Sequence, residues 1–248
     1  MASLKRRPGE PARTLGVLVK AHPWHGVPIG PEAPEVVTTF IELVPSDTVK
    51  YELDKPTGLL RVDRPQRFSS LCPTLYGFIP QTYCGDSLGA RCDERTGKSG
   101  IKGDADPLDI CVLTEKSIPK GGFLLEAVPI GGLRMIDGNE ADDKIIAVLA
   151  GDAVYGDMKD VDAIPKTLVD RLRHYFLTYK QIPGEGSSWT KAGGWKVGES
   201  TASVKQVEIP EIYDRAEAHE VIRRTRVDYA AKFGDPAENN AKLMKLLR

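Results

Sequence analysis

No run of apolar residues in this sequence is long enough to span a bilayer, and the N-terminus lacks the apolar core of a secretory signal. Cysteine is scarce: Cys72, Cys84, Cys92 and Cys111 form no CxxC pair and no dense framework. That excludes a small disulfide scaffold, and independent free thiols in a reducing compartment are expected, with a redox or metal clip around Cys84 and Cys92 as the alternative. Aromatics make up only 7% of the chain, too few for an extended base-stacking groove. An excess of one charge is also missing, since 34 basic residues against 35 acidic leave a net of −1. Nothing global draws the chain to nucleic acid or an anionic membrane, and a cytoplasmic location is expected. The local exception is the N-terminus, where Lys5, Arg6, Arg7 and Arg13 face one acid, Glu10. A solvated tail is expected there, with a targeting segment as the alternative.

What is present suits one large globular unit. The chain has 248 residues, enough to bury a core without disulfides. Residues 1–34, rich in Pro and Gly, read as an extended arm. A domain over 35–200 follows, then a C-terminal helical extension over 201–248. Val36–Val44, Thr48–Leu53 and Leu59–Asp63 are short, β-branched or apolar, and separated by turn signals such as Lys55-Pro56-Thr57-Gly58. Asp109–Thr114, Phe123–Ile136 and Lys144–Ala150 continue the pattern, which predicts a mainly β, α+β fold built on a small β-barrel. After Pro165, the recurrence of Leu168, Leu172, Tyr175, Phe176 and Tyr179 predicts a helix. A second is predicted from about Glu211 to about Phe233 with Ile212, Ala216, Val221, Ile222 and Tyr229 inward, and a short one over roughly 236–247. Residues 84–103 hold five glycines and little apolar content, and read as a surface excursion rather than core.

The chemistry-bearing residues fall in five places. Asp104-Ala105-Asp106-Pro107-Leu108-Asp109 puts three carboxylates in six residues. An extended backbone at 104–106 would turn Asp104 and Asp106 to one face, and Pro107 would swing Asp109 round. Anions so crowded call for cations, and oxygen-only ligands suit Mg²⁺. A calcium EF-hand is disfavoured by Leu108 and Asp109 where that loop needs an acid or amide and then glycine. The turn from Asp137 to Lys144 sets Asp137 and Asp142 at its ends. Glu42 accompanies Lys50-Tyr51-Glu52, whose Lys50 and Glu52 share a strand face, either toward a site or as a solvent-side ion pair. Asp63-Arg64 with Tyr76-Gly77-Phe78, and Tyr179-Lys180 at a helix C-terminus, complete the set. Each cluster alone has an ordinary structural explanation. Together they offer seven acids and four bases, and a convergent pocket would need divalent cations and would then hold a small polyanion.

In this order the motifs resemble the soluble family I inorganic pyrophosphatases, over about His22 to Lys180. The segment Ala21–Pro34 is similar to the start of plant-type members, which makes His22 and His25 structural rather than a metal pair. The resemblance implies a five-stranded, closed β-barrel of OB type with flanking α-helices, and hydrolysis of pyrophosphate with several Mg²⁺ ions. Asp104, Asp109 and Asp142 would hold the activating ions, Asp109 bridging two, and Asp137 would join Asp142 on a further ion. Glu42 and Glu52 would form an acidic wall. Lys50, Arg64, Tyr76, Lys144, Tyr179 and Lys180 would hold the phosphoryl groups, and Asp106 would accept the proton of the attacking water. Homo-oligomers are expected from the family. Two departures stand out: Ala105 where the family has Gly or a small polar residue, and an insert over 84–103 leading directly into Asp104. A nucleoside polyphosphate hydrolase, an OB-type nucleic-acid module and an inactive scaffold are the competing readings.

Overall fold

The computed structural model of the chain describes residues 21–67, 69–180, 188–189, 195–196 and 207–246. Most of the expected arm, residues 1–20 with its basic cluster, lies outside the described residues, as do 201–206. In chain order the strands are β1 (Val37–Leu43), β2 (Val49–Asp54), β3 (Leu59–Pro65), β4 (Leu75–Phe78), β5 (Lys102–Gly103), β6 (Asp109–Leu113), β7 (Phe123–Asp137), β8 (Glu140–Ala141), β9 (Lys144–Leu149), β10 (Ser188–Trp189), β11 (Trp195–Lys196) and β12 (Val207–Asp214). The helices are α1 (Asp86–Thr96), α2 (Lys166–Thr178), α3 (Arg215–Phe233) and α4 (Pro236–Leu246). None among the described residues is long and apolar enough to cross a membrane.

One mixed sheet carries the molecule. β1 pairs with β4, β4 with β6, β6 with β9, β9 with β7, and β7 again with β1. β7 spans all this because it runs for 15 residues. Its register against β9 shifts between Pro129 and Gly131, so the proline falls at an irregularity where no ladder donor is needed. Gly77 on β4 is required by close approach: a Cβ there would lie 1.9 Å from the Phe40 carbonyl oxygen of β1.

The core forms three buried clusters, and alternation along β6 and β9 feeds two of them. Ile110 and Ile145 join a cluster with Leu88 and Cys92 of α1 and Val221 and Ile222 of α3. Cys111 and Ile146 face the other way, toward Val169, Leu172 and Phe176 of α2. All four cysteines are buried, free thiols.

Two expectations need correction. Residues 84–103 are not a surface excursion: α1 runs through them and buries Leu88, Gly89 and Cys92. Cysteine acts there as a small apolar residue, and Gly89 lets the helix lie against the Ile101 carbonyl, 2.5 Å from where a Cβ would sit. The second helix starts at Arg215, not near Glu211. Glu211 and Ile212 belong to β12, which pairs with β7. The start is set by Asp214, whose carboxylate accepts from the Glu217 N–H at 2.9 Å, an N-cap with an acid three residues on. Ile212 and Ala216, expected inward, are exposed.

Candidate functional site

β6 and β9 run parallel with Asp109 opposite Lys144, so the first residues of both strands stand side by side at one end of the sheet. Tyr76 on β4 donates its hydroxyl to Asp109 at 2.5 Å. Lys144 meets Asp109 at 2.5 Å and also contacts Asp142. Asp137 ends β7, and Lys180, just past α2, reaches it at 2.5 Å. From the other side the β2–β3 ribbon brings Lys50 opposite Arg64, with Lys50 3.9 Å from Glu52 and 3.6 Å from Asp63. Glu42, on β1, accepts from the Leu53 N–H at 2.7 Å.

Asp104 and Asp106 reach the site differently from expectation. The backbone is not extended there: Ala105 has φ +65°, and the Asp106 N–H turns back to the Asp104 carboxylate at 3.0 Å. Cys84 clamps this turn with its main chain, accepting from Ala105 at 3.0 Å and donating to the Asp106 carbonyl at 2.8 Å. His22 and His25 stand away from the cleft. His22 Nε2 meets the Lys55 carbonyl oxygen at 2.9 Å, and His25 Nδ1 meets the Tyr229 hydroxyl at 2.8 Å.

All thirteen expected site residues line one cleft of about 390 Å³. Lys55, Asp63 and Glu140 join them without having been assigned a role. Lys55 lies in the β2–β3 turn, where only its turn chemistry was legible, and its ammonium contacts Asp106. Among the described residues the lining then holds nine carboxylates (Glu42, Glu52, Asp63, Asp104, Asp106, Asp109, Asp137, Glu140, Asp142) and five cations (Lys50, Lys55, Arg64, Lys144, Lys180), an excess of four anions.

That excess has electrostatic consequences. Burial, reinforced by Asp109, pushes the Glu42 carboxyl up to about 8. Burial and then Asp142 hold Asp104 well above the usual carboxylate range. Asp106 is raised by burial against the pull of Lys55. Burial alone would lower Lys144, but Asp109 and Asp142 outweigh it and hold the ammonium charged.

Among the described residues no three His, Cys, Asp or Glu side chains already form a metal-binding array; lysines stand between the acids instead. The chemistry of the donor set still fits a hard cation. The uncompensated ligands are all carboxylate oxygens, and Asp137 Oδ1 is buried without a hydrogen-bond partner.

A family model described as inorganic pyrophosphatase matches residues 39–209. The chain belongs to the inorganic pyrophosphatase family. A protein named inorganic pyrophosphatase from Chlamydia trachomatis serovar L2 is 49% identical over 215 residues, 86% of this chain and 96% of that one. Soluble inorganic pyrophosphatase PPA1 of Solanum tuberosum is 42% identical over 163 residues, 66% of this chain and 68% of that protein. Among solved structures, the inorganic pyrophosphatase of Thermus thermophilus matches with a TM-score of 0.64 at 28% identity, covering 84% of this chain and 98% of that one. The cleft lies in the matched region, from Glu42 to Lys180.

Proposed function

We propose that the chain hydrolyses inorganic pyrophosphate to two orthophosphates in this cleft. The observation that carries the reading is the convergence of nine carboxylates and five cations on one small cavity. An apolar or singly charged substrate would gain nothing from such a lining. A compact polyanion that arrives with divalent cations satisfies both signs of charge. Mg²⁺ ions held by Asp104, Asp109, Asp137 and Asp142 would neutralise the substrate and acidify the attacking water.

The chain's own residues then divide the work. Lys50 and Arg64, on paired strands, present two cations to one phosphoryl group. Lys144 and Lys180, with the hydroxyls of Tyr76 and Tyr179, hold the other. Asp106, half-exposed at the cleft, accepts the proton of the attacking water, and Glu42 and Glu52 form the acidic wall. Phosphoryl transfer asks for positioning and charge neutralisation more than covalent participation, and among the described residues no Cys or Ser nucleophile lines the cleft.

Phosphate release from pyrophosphate, measured with Mg²⁺ and with Ca²⁺, tests the reading. Turnover is expected with Mg²⁺ and little with Ca²⁺, and Asp109→Asn should remove most of it while leaving the fold intact. Wild-type turnover by that variant would sink the assignment. Faster release from ATP than from pyrophosphate would favour the nucleoside polyphosphate reading.

The same reading covers the rest of the molecule. The ring of pairings β1-β4-β6-β9-β7 fits a closed five-stranded barrel of OB type. The division into arm, barrel domain and C-terminal extension is kept, as are a homo-oligomeric state, a cytoplasmic location and the absence of a nucleic-acid partner. An oligonucleotide shift sensitive to salt would overturn the last of these.

A further inference from the structure

Arg134 is fully buried on β7, yet it is not among the cleft-lining residues. Its neighbour Leu133 pairs in register with Lys144 of β9. Alternation therefore turns Arg134 and Asp143 to the face opposite the one Lys144 uses. There two of the guanidinium nitrogens hydrogen-bond to acids, and the third, Nη1, forms a close ion pair without hydrogen-bond geometry. Nη1 faces Asp143 Oδ2 at 3.2 Å, Nε meets Glu211 of β12 at 3.1 Å, and Nη2 donates to Glu217 of α3. The Tyr213 ring lies 5.0 Å from the guanidinium carbon.

Two of those acids are shared with α1. Arg91 grips Glu217 through Nε at 3.0 Å and Nη2 at 2.5 Å. Arg95 meets Glu211 through Nε at 3.2 Å. Arg91 also meets Glu94 of its own helix at 3.0 Å, so three guanidiniums face four carboxylates, and α1 brings two of the cations. Without Arg91 and Arg95, Glu211 and Glu217 would both draw on Arg134 alone, leaving less of it for Asp143. Asp143 in turn sits between Asp142 and Lys144, and the Asp142 N–H is held by the Met135 carbonyl at 2.9 Å. A peg on the back of this stretch fixes what its front presents.

We infer that Arg134 and Asp143 are positioning residues for Asp142 and Lys144, and that segment 84–103 exists to hold them through Arg91 and Arg95. The inference rests on the reading of Asp142 as a metal ligand. Groups that orient ligands from behind are worth about ten- to a hundredfold in metal affinity.

The test uses the full chain and reads Mn²⁺ binding by electron paramagnetic resonance, kcat and KM for pyrophosphate, and the thermal midpoint. Arg91→Gln with Arg95→Gln is expected to weaken Mn²⁺ binding about tenfold and to lower kcat. Arg91→Lys with Arg95→Lys, which keeps the charges, is expected to recover most of the affinity. Asp142→Asn serves as the site control and should weaken binding on its own. Wild-type Mn²⁺ affinity and kcat in the glutamine pair, with only a lowered thermal midpoint, would overturn the inference while leaving the site assignment standing. Unchanged Mn²⁺ binding in Asp142→Asn would overturn both. Should the glutamine pair not fold, Arg95→Gln alone, on a half-exposed side chain, is expected to loosen Mn²⁺ binding severalfold; no loosening there overturns the inference equally.

Discussion

Lys55 lays its ammonium against the Asp106 carboxylate from a turn 51 residues away in sequence. The turn is itself fixed. Thr57 and Gly58 donate their N–H groups to the Asp54 carbonyl, and His22 holds the Lys55 carbonyl oxygen at 2.9 Å. Asp106 is the proposed proton acceptor, so its rotamer decides whether it meets the attacking water. Lys55→Ala should lower kcat about ten- to a hundredfold, the cost of a small misplacement of a reacting group, with a smaller change in KM. Lys55→Arg should recover part of it. Steady-state kinetics on pyrophosphate separate the two parameters, and an unchanged kcat in the alanine variant would remove Lys55 from the site.

Ala105 sits at φ +65° between two site aspartates. For a residue with a Cβ this conformation costs about 1–2 kcal/mol, and it is held by the two main-chain bonds to Cys84. Glycine would relieve the strain but lose about 0.5–1 kcal/mol to the greater freedom of the unfolded chain. Ala105→Gly should therefore raise stability by about 0.5 kcal/mol net, read as a higher urea midpoint with unchanged slope. A lower midpoint would mean that the turn is not strained.

The cleft was far more legible than its support. Eleven of its residues are acids and bases whose combination in five clusters was visible against apolar strands, while Tyr76 and Tyr179 and the individual roles came from the family resemblance. Strand periodicity likewise placed β1, β6, β7 and β9 within a residue or two of their ends. α1 escaped notice because its buried face is Leu88, Gly89 and Cys92, residues that carry little hydrophobic signal. Gly97 at φ +70° closing the helix, and Arg95 in its last turn, were the marks that could have found it. The start of α3 was readable from Asp214 and Glu217 as a capping pair, but the apolar spacing of Ile212 and Ala216 pointed elsewhere. Lys55 and Arg134 act through contacts far apart in sequence, and no local pattern encodes those.

Asp152 predicts a pH dependence. Its carboxylate accepts from the Thr114 hydroxyl at 2.7 Å and from the N–H groups of Glu115 at 3.0 Å, Val154 at 2.9 Å and Tyr155 at 2.9 Å. Burial alone would raise its pKa, but these donors outweigh burial and lower it from 3.8 to about 2. A carboxylate depressed by folding stabilises above its unfolded pKa and loses that contribution as pH falls through the folded one. Asp152→Asn should cost roughly 2 kcal/mol at neutral pH. The gap to wild type should be intact above about pH 5 and shrink between about 4 and 2. Urea unfolding at pH 7 and pH 3 measures it; a gap independent of pH would mean that lost packing rather than lost charge is responsible.

α1 has no cap of its own. Gly85 at its N-cap offers no side chain, and the job falls to Asp228 of α3, which accepts from the N–H groups of Gly85 at 3.1 Å, Ser87 at 3.1 Å and Leu88 at 3.2 Å. A carboxylate at a helix N-terminus satisfies otherwise unpaired donors and opposes the positive end of the helix dipole. Because the cap comes from another helix, losing it should both fray α1 and loosen its packing on α3. Asp228→Ala should destabilise by about 2 kcal/mol, above a typical single cap because three charge-assisted bonds are lost. Asp228→Asn, which keeps an acceptor oxygen, should cost about half as much. Amide exchange separates this from a general loss of stability: the Ser87 and Leu88 protons should speed up more than those of Ile145 and Ile146 in the sheet. Equal acceleration at both places would mean that α1 does not open on its own, and that Asp228 supports the whole fold rather than this helix.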